Sequence, residues 1–220
     1  MTSQSCHRPE YFQMPFFNDF QKHLIDGETT IQDLVEVLHD TKTNFQLLLP
    51  GFTDEDDSTI WRNQKDIDCD EVYENIYIGD AATAKNKEYL KKLGITHVLN
   101  AAEGKRFGFV DTDKNYYKDT TIKYLGLPLA DRPWICISEY FYTASAFIDE
   151  AILQKGKLFV HCMMGISRSA TCVLAYLMIK KQLLAAEAVT IVRQNRDIYP
   201  NEGFLHQLAQ LDNQLRRQRL

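Results

Sequence analysis

The sequence predicts an α/β fold with a central, mostly parallel sheet and helices on both faces. Short apolar runs of strand length alternate with longer runs of helical periodicity, which is the pattern of parallel strands joined by helices. The chain has 220 residues, of which 45% are hydrophobic, so it can form one domain with a substantial core. One predicted strand leads directly into a buried helix, and the short loop between them carries the most reactive side chains.

An extension, residues 1–28, precedes the predicted domain, residues 29–220. The extension is rich in aromatic residues but is interrupted by Pro9, Pro15 and Gly27. This composition fits a flexible segment or one that lies on the domain. A docking segment, or a cover for the active site, is the alternative that the sequence leaves open.

The first element of the domain is a predicted amphipathic helix at residues 29–40. Apolar residues recur at helical spacing from Ile31 to Leu38, and Thr30 with Asp33 has the spacing of a capping pair. Packing against the core is the simpler interpretation of this helix.

The remaining elements alternate between strands and helices. A strand is predicted at 72–79, and a helix at 81–93 ends at Gly94, because glycine readily takes the left-handed conformation found at helix ends. The elements that follow are strands at 95–100 and 122–129, a helix at 138–153 capped by Ser138, a strand at 158–162, and helices at 168–181, 185–196 and 201–217, the last capped by Asn201.

The stretch from Lys157 to Lys181 carries the predicted site. Cys162 ends the strand, Arg168 opens the helix, and Gly165 lies between them. The free N–H groups of the first helical turn and the helix dipole favour an anion, and a glycine at positive φ can turn further N–H groups inward. These groups and a nearby cation lower the pKa of a thiol, so Cys162 is predicted to be a thiolate nucleophile.

The side chains after the cysteine suit a phosphate. The planar guanidinium of Arg168 can form two parallel hydrogen bonds to two oxygens of a phosphate. Ser169 can donate a hydrogen bond from its hydroxyl to the sulfur of Cys162, which would help the sulfur to leave phosphorus in a second chemical step. The alternative is that Cys162 is an inert buried cysteine, because a Cys–Arg pair at this spacing is by itself only weak evidence for a catalytic site. The residues predicted to bind the substrate phosphate are His161, Met163, Met164, Gly165, Ile166, Ser167 and Arg168.

Charge and composition exclude several classes of protein. The net charge of −5 argues against a nucleic-acid-binding protein and gives no reason to expect an anionic membrane as partner. No secretory signal or membrane-spanning run is visible, and five scattered cysteines predict a reducing compartment, the cytoplasm or the nucleus. The acidic run Asp54–Asp57 is predicted to be a solvated loop, and no metal or other cofactor is expected.

Several stretches carry a family resemblance. The loop HCMMGISRS matches the His-Cys-x5-Arg-Ser signature of cysteine-dependent protein phosphatases. The wider chain resembles the small, atypical dual-specificity phosphatases, most of all the vaccinia-H1-related type, over residues 29–215. The matching stretches are ITHVLNAAEG (95–104), FIDEAIL (147–153), AYLMIKK (175–181), IVRQNR (191–196) and PNEGFLHQL (200–208). The resemblance implies a cysteine-phosphatase-like version of the α/β fold.

A second catalytic group is expected near the thiolate. Phosphoryl transfer to cysteine expels an alkoxide or phenolate, which leaves more readily when a general acid protonates it. Asp131 in PLADRPW is the candidate, although aspartate close to a proline such as Pro133 is also common in turns. The resemblance implies that Asp131 is this acid, and that its ionised form later takes a proton from the attacking water.

Five further residues have weaker assignments. His161 is expected to shape the thiolate through hydrogen bonding rather than to act as a base. Asn100 and Asn195 either brace loops or are ordinary satisfied polar residues. Met163 and Met164 stand where related loops often carry a charged residue, and apolar side chains there disfavour a polyanionic headgroup.

The resemblance implies a metal-independent protein phosphatase that acts on phosphotyrosine and on phosphoserine or phosphothreonine through a cysteinyl-phosphate intermediate. Two alternatives remain open: a phosphoprotein-binding or scaffold protein with little turnover, and a phosphatase for nucleic-acid ends, lipids or sugars. The expected partners are phosphorylated proteins, and the resemblance adds mitogen-activated protein kinases as candidates. The sequence does not predict an oligomeric state.

Overall fold

The structure is a computed structural model that describes residues 27–46, 48–53 and 65–219. Within these ranges the sheet has five strands in the order β1-β2-β5-β3-β4, with β1 antiparallel to β2 and all other neighbours parallel. The strands are β1 (Cys69–Tyr73), β2 (Ile76–Gly79), β3 (Ile95–Asn100), β4 (Lys123–Gly126) and β5 (Lys157–His161). The predicted α/β fold with a mostly parallel sheet is confirmed.

Helices cover both faces of this sheet. The helices are α1 (Ile31–Asp40), α2 (Ala81–Lys85), α3 (Lys87–Leu93), α4 (Phe141–Leu153), α5 (Arg168–Lys180), α6 (Ala185–Asn195) and α7 (Glu202–Gln218). Successive strand residues point to opposite faces. Ile78 and Val160 therefore join the core formed with α1 and α4 to α7, whereas Tyr77 and Phe159 join a second core with α2 and α3.

Three predicted helix ends are confirmed. Thr30 caps α1 in a reciprocal pair of hydrogen bonds with Asp33, which satisfies backbone N–H groups at the helix start. Gly94 ends α3 with φ of +79°, and the side chain of Asn201 caps α7 by accepting from the N–H of Phe204.

The single strand predicted at 72–79 is wrong. The structure has a hairpin there, in which β1 and β2 pair across Glu74 and Asn75. Asn75 takes φ of +59°, a left-handed conformation that asparagine tolerates better than most residues, so the chain can reverse at that point.

Two helix predictions also need correction. The helix predicted at 81–93 is divided at Asn86, whose side chain accepts from the N–H of Tyr89 and caps α3. Ser138 does not cap α4, because a 3-10 turn at Ile137–Tyr140 precedes that helix. The backbone N–H of Ser138 instead donates to Oε1 of Gln207 at 2.9 Å.

The described helices include none that is long and apolar enough to span a membrane. Residues 1–26 of the extension and the acidic run Asp54–Asp57 lie outside the described residues.

The parallel strands bring three chain segments to one edge of the sheet. Gly79 of β2 and Asn100 of β3 both pair with His161 of β5, so all three strands end at the same level. The loops after parallel strands meet at this carboxyl edge, which is the usual place for a functional site in such sheets. Cys162 follows directly after β5.

Candidate active site

The loop between β5 and α5 presents its backbone N–H groups to its own interior. Each of the five carbonyls at positions 162–166 accepts a hydrogen bond from a surrounding donor. The carbonyl of Cys162 accepts from His161 Nδ1 (3.2 Å), and that of Met163 accepts from the Ala81 N–H (3.1 Å). Arg196 donates from Nη2 to the carbonyl of Met164 (3.2 Å) and from Nε to that of Gly165 (2.8 Å). The carbonyl of Ile166 accepts from the Tyr199 N–H (3.0 Å). Because the C=O and N–H of a trans peptide point in opposite directions, the N–H groups of residues 163–167 face inward and can bind an anion.

Gly165, in the middle of the loop, has φ of +67°, which confirms the predicted left-handed conformation. The surrounding space also excludes a side chain. A Cβ at this position would lie 2.5 Å from the carbonyl oxygen of Gly79 and 2.7 Å from Nη2 of Arg196. Glycine at this position therefore allows the loop to approach both β2 and Arg196 closely.

The thiol of Cys162 is buried, yet its pKa is lowered. Burial alone would raise the pKa of this thiol, because it disfavours the charged form. A hydrogen bond from Ser169 Oγ, 3.3 Å from Sγ, the charge of Arg168, and the backbone N–H groups of Ser169 and Met164 together outweigh burial. In contrast, burial raises the pKa of Cys172 to about 12, so the contacts of the loop distinguish Cys162 from another buried cysteine.

We expect iodoacetate to inactivate the protein at pH values where an ordinary cysteine is unreactive, because the thiolate is the reactive form. Ser169→Ala removes one hydrogen bond to the sulfur, and we expect the pH midpoint of inactivation to rise by about one unit. The measurement is the inactivation rate constant against pH. Ser138→Ala, at an exposed serine outside the loop, is the control. An unchanged midpoint in Ser169→Ala would contradict a stabilising contact between Oγ and Sγ.

His161 contacts the backbone of the cysteine rather than serving as a base. Its ring is fully buried and stacked on Phe159 with 5.7 Å between ring centres, and burial lowers the pKa of His161 to about 4. The imidazole is therefore neutral near neutral pH, with Nδ1–H donating to the carbonyl of Cys162 at 3.2 Å. This bond turns that carbonyl away from the inside of the loop.

Arg168 is fixed beside the loop by two backbone carbonyls. Its side chain is 5% exposed, and Nη1 donates to the carbonyl oxygens of Gly108 at 2.9 Å and Leu129 at 3.0 Å. The Nε–H is buried and has no hydrogen-bond partner among the described residues. A donor of the positioned guanidinium is thus available to an oxygen of a bound anion.

Asp131 lies in the segment between β4 and α4, and its carboxylate is joined to the loop. Oδ2 is 3.5 Å from Nε of Arg168, and Oδ1 accepts hydrogen bonds from Ser167 Oγ at 2.9 Å and Asn201 Nδ2 at 2.8 Å. The side chain is 35% exposed, so it combines fixed partners with access from solvent. The structure thus brings the predicted acid together with Arg168 and Ser167 of the predicted phosphate-binding loop.

The start of α7 positions the segment that carries Asp131. A Cβ at Gly203 would lie 1.8 Å from the carbonyl oxygen of Pro133, so any side chain there would push this segment away. Asn201 both caps α7 and holds the carboxylate of Asp131. The sequence predicted only that Asn201 caps α7, and it assigned no role to Gly203. The reason is that the contact between the start of α7 and the segment of Asp131 joins residues about seventy positions apart in the chain.

Arg196 is a further residue that sequence reasoning missed, although it lies within IVRQNR. All five of its N–H groups are used: Nε donates to the carbonyl of Gly165 and Nη2 to that of Met164, and the remaining three donate to Asp68 and Asp70 at 2.6–2.8 Å. Burial opposes the charge of Arg196, but the two carboxylates raise its pKa. Arg196 therefore acts as a clamp that holds two loop carbonyls outward.

We expect Arg196→Lys to lower kcat/KM for a phosphate ester by about ten- to a hundredfold. A single ammonium cannot satisfy both loop carbonyls and both carboxylates, so the inward N–H groups lose their fixed positions. The matched control is Arg193→Lys, three residues earlier in α6, which changes an arginine that contacts Asp197 and the carbonyl of Ile198 and not the loop. If Arg196→Lys lowered only the melting temperature and left kcat/KM and inhibition by phosphate unchanged, the clamp would have no catalytic role.

The two asparagines singled out from the sequence have different surroundings. Nδ2 of Asn100 donates to the carbonyls of Val110 and Thr112, and Oδ1 accepts from the N–H of Ala102, so Asn100 braces the loop after β3. Asn195 donates to the carbonyl of Ile191 within its own helix. The bracing interpretation fits Asn100 and the satisfied polar interpretation fits Asn195.

The chain is similar to known phosphatase domains. Residues 76–214 match the family described as dual specificity phosphatase, catalytic domain. Among solved structures, DUSP15 is 30% identical, with a match over 68% of this chain and 93% of that chain and a TM-score of 0.55. Human DUSP28 is 26% identical, over 67% and 95% of the two chains, with a TM-score of 0.58. The human tyrosine phosphatase-like serine/threonine/tyrosine-interacting protein is 31% identical, over 65% and 94%, with a TM-score of 0.57.

Proposed function

Since this chain belongs to the dual specificity phosphatase family, we propose that it hydrolyses both phosphotyrosine and phosphoserine or phosphothreonine in proteins through a cysteinyl-phosphate intermediate. Membership of this family makes the chain a protein phosphatase. The observation that carries it is the lowered pKa of Cys162 within a loop whose N–H groups face inward, beside Arg168 and Asp131.

In the first step, Sγ of Cys162 attacks phosphorus, an S–P bond forms and the bond from phosphorus to the substrate oxygen breaks. The inward N–H groups and Arg168 bind the remaining phosphate oxygens, whose charge they stabilise in the transition state. Asp131 in its protonated form gives its proton to the departing oxygen, so the substrate leaves as an alcohol or phenol.

In the second step, water attacks phosphorus and the S–P bond breaks. Asp131, now ionised, takes a proton from the attacking water, and inorganic phosphate is released. Ser169 Oγ, 3.3 Å from Sγ, stabilises the departing thiolate by donating a hydrogen bond. The enzyme returns to its starting state with no net change in its own protonation.

Reaction with both kinds of phosphorylated residue requires a site that a short serine or threonine phosphate can reach as well as a long tyrosine phosphate. The sequence has no recognisable insertion that would deepen the pocket around a tyrosine ring, which supports a shallow site. The expected result is hydrolysis of both a phosphotyrosine peptide and the matching phosphothreonine peptide, with EDTA having no effect. Hydrolysis of only one of the two, or loss of activity in EDTA, would overturn this part of the proposal.

A phosphoprotein-binding protein with little turnover is the competing function. One similar structure is that of the human tyrosine phosphatase-like serine/threonine/tyrosine-interacting protein. A pure binding protein needs neither a nucleophile nor an acid, whereas this chain carries Cys162 and Asp131 on one site. Many turnovers per protein molecule on a doubly phosphorylated peptide would favour the enzyme, and a single turnover or none would favour binding.

Phosphorylated proteins are the proposed partners, with mitogen-activated protein kinases as candidates from the family resemblance. An Asp131→Ala variant should bind substrate while its first chemical step is slowed, so that it retains phosphoproteins from a cell lysate. Release of these proteins by phosphate would show that they occupy the catalytic loop. Identification of the retained proteins tests the kinase assignment directly.

A further inference from the structure

Exposed apolar side chains are concentrated on the catalytic loop and on the segments bonded to it or to Arg168. The described residues include eight large hydrophobic side chains that are exposed, and five of these belong to the loop or to segments bonded to it. We refer to these five as the apolar collar: Phe107, Trp134, Met163, Met164 and Tyr199. Exposed apolar surface grouped in one place, unlike isolated exposed residues, marks a surface for another molecule.

Three members of the collar belong to the loop or bond directly to it. Met163 and Met164 follow the nucleophile, and their residues are 43% and 63% exposed. Tyr199 is 55% exposed, and its backbone N–H donates to the carbonyl of Ile166 at 3.0 Å. Met163 and Met164 thus belong to the loop that would hold the phosphate, whereas Tyr199 bonds to its outer side and also lines a groove with α1 and Arg193.

The other two members lie on the segments that hold Arg168 and carry Asp131. Phe107 precedes Gly108, whose carbonyl accepts from Nη1 of Arg168 at 2.9 Å, and the Phe107 side chain is fully exposed. Trp134 is 74% exposed and follows Asp131 by three residues, in the segment that packs on α7. The collar thus draws on three segments that form the site: the loop, the segment beside Arg168 and the acid segment.

We infer that the apolar collar selects phosphorylated protein segments whose residues next to the phosphorylated one are apolar. This inference rests on the proposed function, because a phosphorylated residue that reaches Cys162 places its chain neighbours over the surrounding surface. Apolar neighbours would bury the exposed faces of Trp134 and Phe107, which is favourable in water. Acidic neighbours would lose hydration against the same apolar side chains.

Charge near the collar acts in the opposite direction. Lys105, Arg106 and Arg132 are exposed in the same two segments and would attract acidic neighbours of the phosphorylated residue. Exposed charge pairs contribute less than burial of a large aromatic side chain, and salt weakens them further. The apolar preference should therefore prevail, and it should persist at high salt.

The test compares three phosphotyrosine peptides of equal length, in which the residues flanking the phosphotyrosine are leucine, serine or glutamate. For the full chain we expect kcat/KM to be about tenfold higher for the leucine peptide than for the serine peptide, and to be lowest for the glutamate peptide. The ratio between leucine and serine peptides should be unchanged when the salt concentration is raised.

Variants of the collar separate this preference from general activity. Trp134→Ala and Phe107→Ala should each lower the leucine-to-serine ratio by about threefold or more, with little change in kcat/KM for a small aryl phosphate. Tyr142→Ala and Leu153→Ala are the matched controls, because they remove exposed apolar side chains of α4 that lie outside the collar. The controls should leave the ratio at its wild-type value.

The outcomes distinguish this inference from the function on which it rests. A preference for the glutamate peptide, equal rates on all three, or an unchanged ratio in both collar variants would overturn the selectivity while leaving the phosphatase proposal intact. The selectivity would also be overturned if the collar joined two copies of the chain. Sedimentation would then show a dimer that Trp134→Ala dissociates, with the leucine-to-serine ratio of kcat/KM unchanged. No Cys162-dependent hydrolysis of any peptide would overturn both proposals.

Discussion

Cys162→Ser is expected to lower the hydrolysis of phosphate esters by a factor on the order of 10⁴ or more. The loop stabilises an ionised sulfur, but a serine hydroxyl has a pKa so high that the same contacts leave it protonated and poorly nucleophilic. Oxygen is also smaller than sulfur, so the substitution should not overpack the buried position. The measurement is kcat/KM on an aryl phosphate, together with the melting temperature.

The control for Cys162→Ser is Cys136→Ser, which changes an exposed cysteine in the segment after Asp131. We expect Cys136→Ser to retain activity close to that of the wild type. Full activity in Cys162→Ser would show that Cys162 is not the nucleophile. A large loss in both variants would point instead to a general sensitivity of the protein to loss of a thiol.

Asp131→Asn is expected to lower kcat by about 10² to 10⁴, with the larger loss for substrates whose leaving group is the more basic. The amide oxygen of asparagine can still accept hydrogen bonds from Ser167 and Asn201, so the segment should stay in place. The amide, however, has no acidic proton that it could give to the leaving group. A leaving group such as nitrophenolate departs with little help, whereas the alkoxide of a threonine ester needs protonation. The measurement is the dependence of kcat on the pKa of the leaving group.

The matched control for this variant is Asp119→Asn. Asp119 is an exposed carboxylate that forms an ion pair with Lys87 and belongs to neither the loop nor the acid segment. It should show the wild-type dependence on leaving-group pKa. If Asp131→Asn lowered kcat by the same factor for every leaving group, Asp131 would act through position or charge and not as a proton donor.

Local signals account for the parts of the site that could be predicted from sequence. One short stretch contains a strand, then Cys162, Gly165 and Arg168, and then a helix. Each of these residue types is there for a physical reason that can be stated from the sequence. Gly165 is the clearest example, because its predicted positive φ is found in the structure. The caps of α1 and α7 by Thr30 and Asn201 were predictable for the same reason.

Parts of the fold that depend on small local choices were predicted less well. The run VYENIYIG has apolar residues on both sides of Glu74 and Asn75 and predicts one strand, yet Asn75 in the left-handed region divides it into a hairpin. Asn86 likewise divides a helical pattern, because its side chain caps the second helix. In both cases an asparagine in the middle of a regular pattern was the available signal.

Contacts between distant segments could not be predicted. Arg196 binds Asp68 and Asp70, which lie 128 and 126 residues earlier in the chain, as well as two loop carbonyls. Nothing in the sequence near Arg196 indicates these partners, since they meet only when β1, the loop and α6 pack together. The same limit applies to the contact of Gly203 with the acid segment.

Mass spectrometry of the enzyme quenched in acid during turnover can detect the cysteinyl-phosphate intermediate itself. We expect a phosphoryl group on the peptide that contains residue 162, attached to Cys162, and a larger amount in Ser169→Ala because loss of the hydrogen bond to sulfur slows the second step. Turnover of substrate with no phosphoryl group ever found on Cys162, in either the wild type or Ser169→Ala, would rule out Cys162 as the nucleophile.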